Sequence, residues 1–291
     1  MTIIPDASTR LAAFRSRQLD ICAPTWEELQ SLKKDVPEAE VHTQHGFYQA
    51  NVGMRCDQKP FSDVRVRQAV SLALDRQELL DKLYQGQGKL NGPVAWPLEK
   101  WAIPQDELLK YPGYRQPKTE DIAKAKQLLA DAGYPNGFKV TAPVTALYLD
   151  LSTIVQDQMK KIGIEVEFQM LDLAATLNKL YSADYEFITW LGNGYDDPYE
   201  WLVQMHSKSS ANRYKFSDPK ADELIEKSYM TVNEEERRKA VLEAQRYLMT
   251  VTPMCWIFSW DIYYVVHPWV KNYKRGLSAM TDSYQDAYVW L

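Results

Sequence analysis

Cysteine is scarce in this sequence and never paired. The 291 residues hold three, Cys22, Cys56 and Cys255, far apart and odd in number. Without a C-x-x-C pair the chain offers neither a zinc site nor a thioredoxin-like centre, and no disulfide framework follows. Cys56 and Cys255 read as ordinary small buried residues. Long runs of one charge are missing too: 34 Lys and Arg stand against 39 Asp and Glu, a net charge of −5. Phosphate backbones are bound by clustered positive charge, so a nucleic-acid partner is excluded. No apolar run approaches the ~20 residues a membrane helix needs. The opening, MTIIPDASTRLAAF, lacks a basic stretch followed by an apolar one, so no signal peptide is visible. That fits a cytoplasmic protein, or equally the mature or truncated part of something longer. The signatures G-x-S-x-G and H-E-x-x-H are absent, as are internal repeats and low-complexity tracts.

What is plentiful is aromatic surface, with 18 tyrosines and nine tryptophans. Such wealth suits a large core, or a pocket that grips ligands with flat apolar walls. Helices are expected over 7–18, from Thr25 as N-cap, and through Val66, Ala69, Val70, Ala73 and Leu74, an i, i+3, i+4 stripe. Another runs from Asp75 as N-cap to Gly86, and GQGK (86–89) reads as its exit and a loop, lacking the Walker spacing. Segment 40–55 looks extended with a turn at Gly46. Its His42 and His45 fall on opposite faces of a strand, which argues against a shared metal. Five prolines between 93 and 117 argue against regular elements there and for a stretch wrapping over the surface. Thr119 is the expected cap of a helix ending at Gly133. Residues 137–192 then alternate strand, helix, strand, helix, strand, favouring an α/β sheet with helices packed on it. Asp218 with Pro219, and Asn233 with Glu236, mark two later helix starts. The tail 253–268 suggests two short aromatic strands.

Chemistry, if any, centres on WLGNGYDDP (190–198). Asp196 and Asp197 are the one adjacent acid pair that stands out, but neighbours on one chain rarely converge on one substrate atom. Asp197 with Pro198 instead reads as N-cap and N1 of a helix running through Trp201 and Met205. The stretch follows a strand and precedes a helix, the place where open α/β sheets bind ligands. A binding loop and a purely structural turn remain equal readings. Gly192 and Gly194 permit close backbone approach, and Trp190 and Tyr195 offer flat walls.

The order of segments resembles the extracellular solute-binding proteins of the dipeptide/oligopeptide class, family 5, which serve ABC importers. The resemblance rests on STRLAAFRSRQLDI (8–21), PFSDVRVRQAVSLALDRQELLDKLYQGQG (60–88), EDIAKAKQLLADAGYPNGF (120–138), KFSDPKADELIEKS (215–228) and EERRKAVLEAQRYLMTVTPMCWIF (235–258). It implies an α/β fold: a periplasmic-binding-protein-like lobe with a mixed sheet flanked by helices, truncated so that the amino-terminal part of a clamshell is absent. The implied division is a hinge or first-lobe remnant (1–45), the carboxyl-terminal ligand-binding lobe (46–260) and a return segment (261–291).

The resemblance further implies a binding protein and not an enzyme, working without cofactor or metal, at the periplasm or outer cell surface. Its partners would be a peptide or small polar solute, the missing amino-terminal lobe and membrane permease subunits, with a non-native dimer through the exposed hinge face. Ligand-facing residues would be Trp190, Gly192, Asn193, Gly194, Tyr195 and Asp196, with Tyr148 and Trp260. In peptide-binding members this loop supplies an aspartate for the ligand's α-amine. Counting back from Pro198, that position is Gly194, preceded by Asn193. Asp196 takes the role if the loop is one residue longer; otherwise the ligand lacks a free amine, as in an opine, a glutathione-like compound or a metal chelate. Trp256, Tyr263 and Tyr264 line the cleft or pack in the core, and Arg213 and Tyr214 edge the pocket or sit on a solvated loop. Other readings are a cytoplasmic solute-sensing domain of a regulator, or an enzyme using Asp196 or Asp197.

Overall fold

Two strands of unusual length organise the chain. The computed structural model describes residue 4 and residues 6–273. In order these are α1 (Ala7–Arg15), β1 (Ile21–Cys22), α2 (Trp26–Asp35), β2 (Glu40–Met54), α3 (Val64–Ala73), α4 (Arg76–Tyr84) and β3 (Gly88–Leu90). A 3-10 turn (Trp96–Leu98), α5 (Gln105–Leu108), α6 (Thr119–Asp131) and β4 (Phe138–Val144) follow. A second 3-10 turn (Ala146–Tyr148) leads into α7 (Leu149–Lys160), β5 (Ile164–Met170), α8 (Leu173–Ser182) and β6 (Phe187–Asn193). After α9 (Pro198–Leu202) come α10 (Pro219–Met230), α11 (Glu234–Val251) and β7 (Met254–Val266).

The fifteen residues of β2 lie antiparallel between β6 and β7, giving the order β1-β7-β2-β6, with β3 on the other side of β7. The bend in β2 falls at Gly46, whose φ of +63° and closeness to Pro97 leave no room for a Cβ. There the pairing with β7 slips between His45 and Gln49. The strand–helix–strand unit β4–α7–β5 is parallel, but it forms a separate two-stranded sheet. The expectation of one sheet for 137–192 is therefore corrected, because β6 pairs antiparallel to β2 instead.

Helix starts follow their caps. Thr25 and Glu28 form a reciprocal capping box, and Asp63, Asp75, Asp172, Asp197, Asp218 and Asn233 each accept from a first-turn amide. Thr119 does not cap α6: it is already the first helical residue, preceded by Lys118 without a side-chain cap. The stripe Val66, Ala69, Val70, Ala73 and Leu74 is buried as its spacing requires. It joins α4, α6 and α7 in one core against the sheets, while α10 and α11 close a second around Trp190, Trp201, Tyr214 and Trp256. A smaller cluster ties α1, α2 and β1 to Tyr263 and Val265 of β7.

Three further expectations change. The tail is one continuous strand, not two, because β2 pairs with it along most of its length. GQGK continues from the helix exit into β3, since Gly88 and Lys89 pair with Trp260 and Ser259. The proline-rich stretch holds two short helical turns and sends Val94, Ala95, Leu108 and Tyr114 inward, so it is woven into the core. Both division points, after 45 and after 260, fall inside continuous strands, and residues 274–291 of the expected return segment lie outside the described residues.

Candidate functional site

At the end of β6 the alternation of the strand sends neighbouring residues to opposite sides. Leu191 faces a recess of about 160 Å³, lined also by Tyr84, Tyr148, Leu147 and Phe258. Tyr84 is the last residue of α4, brought there because Gln85 adopts a left-handed backbone and stops the helix. Its ring stacks on Trp260 at 4.5 Å and 15°, and Tyr48 of β2 also stacks on that indole at 5.7 Å and 18°. Phe258, two residues earlier on β7 and so on the same face, meets Tyr84 edge-on at 5.5 Å. Burial pushes the Tyr84 hydroxyl up to about 12, and also raises that of Tyr148, with the Tyr181 phenol adding to the effect. These phenols stay protonated and present a neutral, flat wall.

The other face of β6 is closed. Trp190 is 6% exposed and borders a crevice of about 10 Å³ with Asn51, Trp201 and Trp256. That volume barely admits one water molecule. Gly192 is bare because a Cβ there would stand 3.2 Å from the Trp190 ring and from Asn51. The strand persists through Asn193, paired with Tyr48, so the glycine turn expected from the sequence begins only at Gly194. Tyr195 is half-buried, edge-on to Trp201 at 5.2 Å, and its carbonyl accepts from the Trp201 indole at 3.2 Å. Burial raises its hydroxyl, and the Arg213 guanidinium opposes that rise.

The two acids of the loop part company. Asp197 accepts from the Tyr199 amide at 2.8 Å and binds Arg237 through both oxygens at 2.7 and 2.9 Å. It caps α9 and ties the loop to α11, a structural role. Asp196 stands exposed on the loop. Tyr214, expected at a pocket edge or on a solvated loop, is fully buried, its hydroxyl pushed far up by burial. Next to it, Arg213 lies over the rings of Tyr181 (4.4 Å) and Trp190 (5.3 Å). Trp260 and Tyr148 meet around Tyr84, whereas Trp190 is turned away from them. Sequence reasoning passed over Tyr84, Tyr48 and Leu191. The one local signal for Tyr84 was its place as the last apolar residue before a glycine-rich helix exit.

An α/β lobe of this kind, with an aromatic recess beside its main sheet, shares its fold with the periplasmic binding proteins. The chain belongs to the bacterial extracellular solute-binding proteins, family 5, whose description "Bacterial extracellular solute-binding proteins, family 5 Middle" matches residues 1–213. It is 27% identical over 290 residues to Heme-binding protein A of Haemophilus influenzae, covering 95% of this chain and 51% of that protein. Against Di/tripeptide-binding protein 1 of Pseudomonas aeruginosa the identity is 26%, with 96% and 52% covered. The fold is shared with the periplasmic binding protein DppA of Helicobacter pylori in complex with the peptide STSA: TM-score 0.79, 23% identity, 99% of this chain and 56% of that one. The chain thus spans about half the length of the curated relatives it matches. These relatives are binding proteins. No helix among the described residues is long and apolar enough to cross a membrane.

Proposed function

We propose that this chain supplies one wall of a two-lobe solute-binding protein that captures a peptide or related small polar solute and hands it to the permease of an ABC importer. The observation carrying this reading is the aromatic recess of Tyr84, Tyr148, Leu191 and Phe258, backed by Trp260, beside the loop 193–196. Exposed apolar side chains include Leu147 at the recess, Met170 at the end of β5 and Tyr181 on α8, 66%, 54% and 58% exposed. Apolar surface at a strand terminus of a folded lobe is surface that a ligand and a second lobe would cover. Closure would follow from differential contact: the solute touches both walls only in the closed form, so binding shifts the population toward it. No bond is made or broken in this scheme, and Asp197, engaged in its cap and ion pair, supports it.

In this reading Tyr148, Trp260, Tyr195 and the backbone of Gly192 to Asp196 face the solute, and the protein works in the periplasm or at the outer cell surface. Relatives named for heme and for di- and tripeptides support a fold whose pocket is readily respecified. The test is titration calorimetry of this chain with di- and tripeptides. One wall alone buries little of a ligand, so weak binding in the millimolar range, with little heat, is expected, and nanomolar affinity would sink the two-wall scheme.

A further inference from the structure

Arginines in this fold are used up by the protein itself, with one exception. Arg67 and Arg76 donate to main-chain carbonyls in the core, Arg237 and Arg246 grip carboxylates, and Arg238 reaches the Lys100 carbonyl. Arg10, Arg15, Arg17, Arg55, Arg65 and Arg115 likewise each donate to an oxygen. Among the described residues Arg213 alone is held only by rings: Tyr181 at 4.4 Å and Trp190 at 5.3 Å from its guanidinium carbon. Aromatic faces satisfy a guanidinium's charge in part, but they leave its in-plane N–H fork open.

The position is rigid. The Arg213 carbonyl accepts from the Tyr185 hydroxyl at 3.0 Å. On one side Asn212 is buried and hydrogen-bonded to the carbonyls of His206 and Phe216; on the other Tyr214 is fully buried. Arg213 is itself half-buried, and its charge is close enough to Tyr195 to oppose the rise of that hydroxyl. It therefore sits beside the candidate loop, where residues 193 and 194 are asparagine and glycine and provide no acid to meet an ammonium group.

We propose that Arg213 is an oxyanion-binding subsite: the solute presents a carboxylate or phosphate to its open fork, and this anionic group is the chief polar handle on this wall. The inference rests on the solute-binding reading above and narrows it to anionic solutes. A fixed, ring-backed fork matches a planar or tetrahedral oxyanion through two parallel hydrogen bonds, at low ordering cost. The ligand's amine, if it has one, finds no fixed partner at 193 or 194.

The test uses the whole chain, isotope-labelled, and follows by NMR the Arg213 side-chain Nε–H and Trp190 indole signals together with the amides of 190–196. Three probes are titrated at constant ionic strength: N-acetylalanine (carboxylate, no amine), inorganic phosphate, and alaninamide (amine, no carboxylate). Saturable shifts are expected with N-acetylalanine or phosphate and not with alaninamide, and the tighter of the two identifies the natural group. Arg213→Met should weaken that binding about tenfold or more. Arg213→Lys keeps the charge without the fork and should lose most of it, with near-ultraviolet circular dichroism reporting that both variants fold. If probes shift 190–196 equally well in Arg213→Met, or alaninamide alone binds, the oxyanion subsite is wrong while the binding loop stands. Should none of the three perturb either Arg213 or 190–196, the subsite and the binding loop fall together.

Discussion

Replacing Arg76 by methionine probes how the candidate wall is held. Arg76 is 1% exposed at the start of α4, the helix whose other end carries Tyr84. It donates to the carbonyls of Trp256 (2.7 Å), Gly113 (2.7 Å) and Ser71 (2.9 Å), and to the Ser71 hydroxyl (2.9 Å), with the Tyr114 ring 4.0 Å away. Methionine keeps much of the stem's volume and removes every donor. The Trp256 carbonyl would retain the Tyr114 hydroxyl at 3.2 Å, and Gly113 would retain Lys118 at 3.0 Å. Ser71 would lose its side-chain donor outright. The stranded Ser71 acceptor is only part-buried and costs about 1 kcal/mol, and each weakened one about 0.5–1.5. Against this stands the relief of no longer burying a charge. The balance is a loss of roughly 2–4 kcal/mol, a large part of a typical domain's stability. Urea unfolding followed by tryptophan fluorescence would read it as a lower midpoint at unchanged slope. Arg76→Lys, which reaches fewer of the acceptors, should fall between. A Met variant within about 0.5 kcal/mol of the parent would refute the reasoning, since that is the scatter of inert surface changes.

Two other substitutions follow from the same geometry. Gly88→Ala should separate β3 from β7, because a Cβ there would lie 2.2 Å from the Ser259 carbonyl oxygen at a φ of +148°; a cost above about 2 kcal/mol is expected, and an unchanged urea midpoint would contradict it. Asp121 is buried; burial pushes its carboxyl up, but Lys118, the Gly113 amide and Arg115 outweigh that and hold it below the usual range. A depressed acid adds stability above its unfolded value, about 3.9, that is lost as pH falls through the folded one. Asp121→Asn should therefore flatten the fall of the urea midpoint as pH drops below about 5, through the unfolded value and on toward the lower folded one, and an unaltered slope would count against the pairing.

Local signals carried further than pairing did. Five caps were legible because an Asp, Asn or Thr before an apolar stripe announces a helix by itself. Lys118–Thr119 misled because a good cap residue can equally sit one position inside. Strand partners were not legible: three residues at Gly88–Leu90 become a strand only because β7 passes beside them, and β6 leaves the 137–192 unit because β2 offers it a longer edge. The site shows the same divide. Trp190 and Tyr195 are conspicuous in sequence, yet β6's alternation turns Trp190 into the core and exposes Leu191 to the recess. Tyr84 and Arg213 matter through rings contributed by distant segments, and nothing near either residue announces Trp260 or Tyr181.

The most direct measurement is a crystal structure of the protein with the tightest-binding solute from a screen of peptides and small acids. The account predicts solute atoms within about 4 Å of Tyr84, Tyr148 or Leu191 and of the loop 193–196. A solute lodged instead in the separate cavity of about 360 Å³ between Tyr111, Leu128 and Met249 would contradict it.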